Sequence, residues 1–447
     1  MSKQESSIEG AGRPQMEFLD AIAHAVEPHP IAPNPVDVLG QPRALLEAVE
    51  ALPPDERNGL KQLIQVVKAA FPMEPPHYLQ SIFGPLRTWL PPYHPASELN
   101  VLDTWHPIQT LKYLTAITVP AVSRAPGRWA RTLLPRPVQH LFWRESRYFQ
   151  QPDPFQSTTS FLDERWFFIN GVATTLDVAK MNAELLSQMF YRPITGIYNS
   201  TNSLVLDLIE CALDKGFLVD PDLNDPTTMT IPTYAASQAI FSALRNPRID
   251  RVVVIAHSQG TLIAANVVRA IARALCIAQA LTDDSTEADQ ANSTLEQLAC
   301  HCLFPEDVHQ WRRDQLQAYL LRLMRKLELY LFSNCADRLT YAMKVTTQGG
   351  QEIGLPYIEN FANEHDLVAR LGILSPLRKS EPERVSLDGP LYLSTDRWGH
   401  FFNAHYLEAM YQHLLQPKTI ANPYQRVDPN QPPIPRLYSY FGGSRPG

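Results

Sequence analysis

Short apolar runs alternate with longer helical patterns between residues 165 and 415, and this alternation constrains the fold more than any other feature of the sequence. The predicted strands are residues 166–169, 194–198, 252–255, 341–346 and 356–361. The helical patterns that follow them include residues 204–213, 261–281 and 401–415. Short apolar strands that alternate with helices are typical of a parallel sheet covered on both sides. We therefore predict an α/β domain with a mostly parallel central sheet and helices on both faces.

The flanking segments differ from this domain in composition. Of the 39 prolines, 22 fall in residues 1–160, and proline at that density interrupts helices and is rare in central strands. The sequence therefore predicts a Pro-rich, mainly helical accessory region in residues 1–160 and the α/β domain in residues 161–415. Residues 416–447, which contain six prolines beyond residue 420, are predicted to form an extended tail.

Residues 282–340 interrupt the alternation of strands and helices. A polar stretch, residues 282–293, comes before a charged helical pattern at about residues 307–332. Two interpretations stay open at this point. The segment is either a helical insertion that caps the sheet as a lid, or one elongated crossover helix.

Composition narrows the classes of partner and cofactor. A net charge of −7 gives no reason to expect nucleic-acid binding. Five cysteines in 447 residues do not suggest a disulfide framework, which favours a reduced setting. Cys300 and Cys302 flank His301, but no second ligand pair follows, so no metal is expected there. Without a signal pattern or an apolar run of 18 residues, we expect a cytoplasmic location, with signal-independent export left open.

The central motif is Ala256-His257-Ser258-Gln259-Gly260, a G-x-S-x-G pattern with alanine in the first glycine position. An apolar strand ends just before it and a helical pattern starts just after it. In such a motif the serine occupies a sharp turn that exposes its hydroxyl above the sheet, and the residues two before and two after it must be small. Ala256 and Gly260 meet that requirement, which makes Ser258 the candidate nucleophile.

In this motif and its context the chain resembles the α/β-hydrolase superfamily, in particular its lipases and esterases, over roughly residues 160–415. The resemblance implies an α/β-hydrolase fold and a serine hydrolase that needs no metal or organic cofactor. It also implies that an acid and then a histidine follow Ser258 along the chain, each in a loop after a later strand.

Both residues have candidates. Asp366 follows the predicted strand at residues 356–361 and precedes a helix start; Glu364 is its rival, and a purely helix-capping aspartate is the alternative. His400 follows Gly399 and directly precedes the last helix, whereas His405 falls inside that helix, where a structural role is expected. The predicted triad is Ser258, Asp366 and His400, with the imidazole as base and the carboxylate orienting it.

The tetrahedral intermediate of such a reaction needs N–H donors for its oxyanion. The backbone N–H of Gln259 is one candidate, and the resemblance to the His-Gly loop of lipases points to Val172 as the other, with Asn170 in place of the histidine and Gly171 beside it. Further candidates to line a pocket are His257, Asn199 and Asn202, which adjoin the carboxyl ends of strands.

Residues 105–147 carry seven cations against one acid, interleaved with Trp105, Trp129, Phe142 and Trp143. This composition suits peripheral contact with an anionic lipid surface, although a solvated basic face is the commoner explanation. Taken together, the sequence predicts a hydrolase of carboxylic esters that resembles a lipase or phospholipase and acts on an ester or lipid substrate. A thioesterase, an acyltransferase, a signal-less bacterial lipase toxin and a non-catalytic interaction protein on the same scaffold are the alternatives, and the oligomeric state is not predicted.

Overall fold

The computed structural model describes residues 80–85, 94–100, 147–152, 161–171, 174–199, 231–280, 311–346, 350, 352–380, 382 and 385–446. The strands are β1 Arg147–Gln151, β2 Glu164–Ile169, β3 Ile194–Tyr198, β4 Arg251–His257, β5 Leu327–Phe332, β6 Arg338–Leu339, β7 Met343–Thr346, β8 Glu352–Leu355, β9 Tyr357–Asn363, β10 Ser386–Leu387, β11 Leu391–Ser394 and β12 Gln425–Arg426. The α-helices are α1 Leu176–Phe190, α2 Ile231–Arg245, α3 Gln259–Ala280, α4 Arg313–Lys326, α5 Leu367–Leu371, α6 Leu377–Ser380 and α7 Glu408–Leu415.

Eight strands form one sheet in the order β1-β3-β2-β4-β5-β9-β11-β12. The pairs from β3 to β11 are parallel, and only the outermost strands, β1 and β12, pair with their neighbours in antiparallel fashion. The carboxyl ends of β2, β3, β4, β5, β9 and β11 therefore meet at one edge. The predicted mostly parallel sheet is confirmed, and its carboxyl edge is where an α/β protein places a ligand.

Alternate residues of each central strand enter different cores, as the two-residue period of a strand requires. In β4, Val252 and Val254 pack with helices α2, α3 and α4 on one face. Val253 and Ile255 pack on the other face with α1, α7 and the C-terminal segment. Both faces of the sheet are thus covered, which explains why β4 is apolar from Val252 to Ala256.

The prediction of a helix over residues 307–332 is wrong for its last six residues. The helix α4 stops at Lys326, and Leu327–Phe332 is strand β5 at the centre of the sheet. All six residues of β5 are buried, including the charged Glu328. Since α4 packs on α3 against a sheet face, the described part of residues 282–340 is a crossover helix and strand, and residues 281–310 lie outside the described residues.

Residues 341–346 were predicted to join the main sheet. Instead, β7 pairs with β8 in a separate antiparallel ribbon, and β6 pairs with β10. The alternation in β7 between half-buried and exposed residues is typical of such a two-stranded ribbon and not of a central strand.

The predicted extended tail is also wrong, because residues 416–446 pack into the domain. Strand β12 extends the main sheet. A 3₁₀-helical segment, Arg436–Gly443, packs into the core on the face of the sheet that α1 and α7 cover. Tyr424, Leu437 and Tyr440 are fully buried. Aromatic residues between the prolines make these contacts. They predict the packing of this segment better than the prolines do.

Three described pieces of the predicted accessory region contact the domain. Strand β1 pairs with β3, so the sheet extends past the predicted boundary at residue 160. Residues 80–83 form a helical turn and Glu98–Asn100 a 3₁₀ turn. The helix predicted at residues 204–213 lies outside the described residues, as do residues 1–79 of the accessory region. Within the described part of the chain, no helix is both long and apolar enough to span a bilayer.

Candidate active site

Ser258 lies at the turn between β4 and α3, and its backbone has a φ of +56°. A non-glycine residue in this left-handed region is strained, and such strain persists only where surrounding contacts hold it. The Ser258 N–H donates to the Phe332 carbonyl (3.0 Å), and the Ser258 carbonyl accepts from the Thr261 hydroxyl (2.6 Å) and the Cys335 thiol (3.3 Å). These contacts anchor the backbone on both sides of the serine.

Close backbone approaches explain why this turn needs small residues. A Cβ on Gly260 would lie 2.3 Å from the Ile169 carbonyl oxygen, and a Cβ on Gly171 would lie 2.4 Å from the Ser258 Cβ. Helix α3 and the loop after β2 therefore both lie against the turn without room for a side chain. The predicted requirement at Gly260 is met, and Gly171 borders Ser258 directly.

A continuous chain of hydrogen bonds runs through the three predicted triad residues. His400 Nε2 is 2.9 Å from Ser258 Oγ, and His400 Nδ1 is 2.9 and 3.0 Å from the two carboxylate oxygens of Asp366. All three side chains are buried. Because the ionised carboxylate only accepts hydrogen bonds, Nδ1 carries the proton and Nε2 is left to accept the Ser258 hydroxyl.

Asp366 lies at the start of α5 and also caps that helix, since its Oδ1 accepts the Val368 N–H at 2.8 Å. The helix-capping interpretation and the triad interpretation therefore both describe this residue. The rival acid, Glu364, is half-buried and its carboxylate accepts the Asp396 N–H. The structure brings Asp366, and not Glu364, to the histidine.

The rival histidine, His405, is turned away from Ser258. Its Nδ1 accepts the Phe401 N–H at 2.9 Å, and its ring stacks on the Phe401 ring. Burial lowers the pKa of His405 to about 3. A permanently neutral, packed imidazole fits the structural role expected for this residue.

Polar side chains join the ends of β2, β3 and β4. Asn170 Nδ2 donates to the Gly171 and Asn199 carbonyls, and the Asn199 N–H donates to Asn170 Oδ1, all at 2.9 Å. Asn199 Nδ2 donates to Gln259 Oε1 at 2.6 Å. These bonds fix the loop after β2 relative to the serine turn.

Of the two predicted oxyanion donors, the structure describes Gln259 but not Val172. Gln259 is the first residue of α3, and the first N–H groups of a helix have no acceptor within that helix. The helix dipole adds positive character at this end. The backbone N–H of Gln259 is therefore suited to bind a negative charge that develops beside Ser258. Val172 lies outside the described residues, as does Asn202, and their predicted roles stay predictions.

His257 packs its ring against the catalytic candidate His400, with centroids 4.6 Å apart, and against Phe402 and Tyr406. It is buried, and burial together with the nearby His400 holds its pKa well below the usual range. His257 thus supplies a neutral, flat surface beside His400 rather than a second base.

The N-terminal region contributes to the same site. The His400 N–H donates to the Ile82 carbonyl at 2.8 Å, and the Phe83 ring packs edge-on against Phe401. The buried Glu98 accepts the backbone N–H groups of Asn403 and Ala404, each at 2.9 Å, at the start of the helical turn that follows His400. Burial raises the pKa of Glu98 to about 7.

The described residues include one cluster of side chains that could hold a metal ion. The possible ligand atoms of Glu364, His365 and Asp396 lie within 4.8 Å of one another, although Glu364 is already bonded to the Asp396 backbone. Residues 300–302 lie outside the described residues. So do residues 105–146, so the expected lipid contact of that segment stays a prediction.

Two residues at the site were missed from the sequence. Tyr406 donates a short hydrogen bond to Asp366 Oδ2, and Ser333, at the end of β5 with a φ of +52°, places its Oγ 3.3 Å from His400 Nδ1. A serine and an asparagine directly after an apolar strand would have signalled Ser333, had β5 been recognised. No comparable signal marks Tyr406.

The chain matches no protein-family model, no curated protein and no solved structure.

Proposed function

We propose that this chain is a serine hydrolase of the α/β-hydrolase superfamily that cleaves carboxylic esters through an acyl-enzyme. The observation that carries the proposal is the hydrogen-bonded chain from Ser258 Oγ through His400 to Asp366, ending on a serine in a left-handed turn. The order of these residues along the sequence, serine then acid then histidine, also agrees with that superfamily.

In the first half of the reaction, His400 Nε2 takes the Ser258 proton as Oγ attacks the ester carbonyl. The carbonyl oxygen becomes an oxyanion, which the Gln259 N–H at the start of α3 would stabilise. When the tetrahedral intermediate collapses, the bond to the leaving alcohol breaks and His400 returns its proton to that oxygen. Asp366 holds the Nδ1–H and stabilises the transient imidazolium.

In the second half, a water molecule takes the place of the alcohol. His400 removes its proton as the water attacks the acyl-enzyme, and Ser258 leaves with the proton that His400 gives back. The products are a carboxylic acid and the free enzyme. None of these steps requires a group beyond the residues named. The lipid character of the substrate rests on the cationic and aromatic composition of residues 105–147.

Acyl transfer is a second candidate, favoured by the burial of the site. Ser258 is 0% exposed and His400 is 5% exposed. A covered acyl-enzyme is less accessible to bulk water, which favours an acceptor alcohol or amine that binds in its place. Incubation of the protein with p-nitrophenyl butyrate and increasing glycerol would distinguish the two, because transfer gives glyceryl butyrate at the expense of butyric acid.

The test of an activated serine is labelling with a fluorophosphonate probe, followed by peptide mapping. Wild type should carry the label on Ser258, and Ser258→Ala should carry none while keeping its circular dichroism spectrum. Ser333→Ala is the matched control, because it removes another buried serine hydroxyl beside His400, and its label should remain on Ser258. A folded wild type that stays unlabelled, both alone and with lipid vesicles, would refute the proposal.

A further inference from the structure

The Tyr406 side chain contacts Asp366, the candidate acid of the triad. Its hydroxyl donates to Asp366 Oδ2 in a short hydrogen bond, and accepts the Asn363 N–H at 3.3 Å. Tyr406 is 0% exposed. Six residues after His400, it therefore reaches the same carboxylate that His400 binds.

Asp366 is 0% exposed and binds three donor groups. Val368 N–H binds Oδ1, Tyr406 Oη–H binds Oδ2, and His400 Nδ1 lies within 3.0 Å of both oxygens. A buried carboxylate is stabilised by the donors that bind it, and each donor draws negative charge toward itself. Tyr406 and His400 consequently compete for the charge on the same oxygen, Oδ2.

We propose that Tyr406 is a positioning residue that tunes the basicity of His400 through Asp366. The inference rests on the proposed function, because it assigns a catalytic consequence to the Ser258–His400–Asp366 chain. With the tyrosine hydroxyl in place, part of the carboxylate charge is held by the phenol, and the attraction of Asp366 for a protonated His400 is moderated. Without it, the full charge acts on the imidazole, and His400 keeps its proton to higher pH.

The geometry holds Tyr406 as a donor. Burial and the neighbouring carboxylate raise the pKa of Tyr406 well above its usual range, so its phenol stays protonated. Its backbone carbonyl accepts the Tyr424 hydroxyl at 3.4 Å, and the two rings stack with centroids 6.4 Å apart. The ring of Phe332, in β5, packs edge-on against the Tyr406 ring.

The local helix type explains how this contact arises. Residues Phe402–Leu407 form a π-helical turn rather than an α-helical one. A π turn contains one additional residue, which rotates every following side chain relative to an α-helix, and such turns are frequent at functional sites. Tyr406 lies within this turn, and its hydroxyl reaches Asp366 directly after the loop that carries His400.

Other titratable groups around this chain are His257, His405, Tyr424 and Arg397. His257 packs on both His400 and Tyr406, and Arg397 acts electrostatically on His405 and Tyr424. The pKa values of His257 and His405 are lowered by burial, and that of Tyr424 is raised. None of these three changes charge near neutral pH. Glu98, which binds the turn after His400, has a pKa raised to about 7 by burial, so the ¹⁵N titration of His400 itself identifies the group that shifts.

The test compares Tyr406→Phe with Tyr424→Phe, using the second-order rate constant of fluorophosphonate labelling between pH 5 and 9. Loss of one hydrogen bond to a charged group should move the acid limb of Tyr406→Phe upward by about one pH unit. Labelling below that limb should then be about tenfold slower than in wild type. Tyr424→Phe removes an equally buried hydroxyl that does not bind Asp366, and should leave the limb in place.

A merely structural tyrosine would lower the melting temperature of Tyr406→Phe without moving the limb, and that result would overturn the inference while leaving Ser258 as the labelled residue. ¹⁵N NMR titration of His400 gives the same shift without any reaction, and an unchanged titration would likewise overturn it. If Tyr406→Phe does not fold, 3-fluorotyrosine in place of Tyr406 offers a stronger donor and should move the limb downward. An unlabelled wild type would instead refute the proposed function itself.

Discussion

The two edges of the main sheet both bury carboxylates, but they bind them in different ways. At the amino edge, Glu164, Glu328 and Glu359 are each at least 96% buried. Glu164 pairs with Arg192 at 2.9 Å, and Glu328 pairs with Arg436 at 3.0 Å. Glu359 accepts the Tyr357 hydroxyl and the backbone N–H groups at the start of the C-terminal helical segment.

At the carboxyl edge, Asp366 is fully buried and binds a backbone N–H, an imidazole and a phenol. A buried charge that is paired with arginine is neutralised and serves stability or attachment, here of the C-terminal segment. Glu359 and Asp366 both bind neutral donors, but of the two it is Asp366 that binds an imidazole, and that imidazole reaches Ser258. The comparison thus separates a structural carboxylate cluster from one suited to chemistry.

The largest expected effect is that of Asp366→Asn at the carboxyl edge. An asparagine keeps the shape but favours the wrong imidazole tautomer, and the labelling rate of Ser258 should fall by up to about 10⁴-fold. Far-ultraviolet circular dichroism should show an intact fold. A rate within a few fold of wild type would remove Asp366 from the triad and return attention to Glu364.

At the amino edge the expected effect is on stability alone. Glu164→Gln leaves Arg192, which is 0% exposed, without its buried partner, and should lower the free energy of unfolding by about 3–5 kcal/mol. The labelling rate per folded molecule should not change. Denaturant titration measures the first quantity and active-site labelling the second.

Asp163→Asn is the matched control for this prediction. Asp163 shares Arg445 with Glu164 but is 36% exposed at its side chain, so its loss should cost no more than about 1 kcal/mol. If the two variants were equally stable, the amino-edge cluster would not have the structural role assigned to it.

Much of the sheet and the candidate site could be predicted because their signals are local. The turn at Ser258 needs a preceding apolar strand, a small residue at Gly260 and a following helix, and all three are adjacent in sequence. The acid and the histidine were located by chain order together with a loop position. Residues Asp366 and His400 then meet because β9 and β11 are parallel neighbours.

The remaining features depend on contacts between distant residues. Strand β5 was assigned to a helix because Glu328 looks solvent-exposed until Arg436, 108 residues later, is known to pair with it. The tail was assigned as extended because its prolines were weighed without Tyr440, which donates to the same glutamate. Tyr406 was missed because its direction depends on a π-helical turn, which has no signature in composition or periodicity.

A smaller effect than that of Glu164→Gln concerns pH and the carboxyl edge. The pKa of His405 is lowered to about 3 by burial, whereas the unfolded chain binds that proton near pH 6.5. The unfolded state therefore holds more protons between these values, and the stability contributed above pH 6.5 is lost as the pH falls. By pH 5 the loss of stability should be about 2 kcal/mol relative to a residue that does not titrate.

His405→Asn keeps an acceptor for the Phe401 N–H and should abolish the contribution of residue 405 to the pH dependence of stability. The two proteins must be compared at each pH, because the pKa of Glu359 is raised to about 7 and its contribution runs in the opposite direction, falling as the pH rises. Denaturant titrations at pH 8 and pH 5 should show the difference between wild type and variant narrowing or reversing on acidification; parallel curves would mean that His405 is not buried in its neutral form.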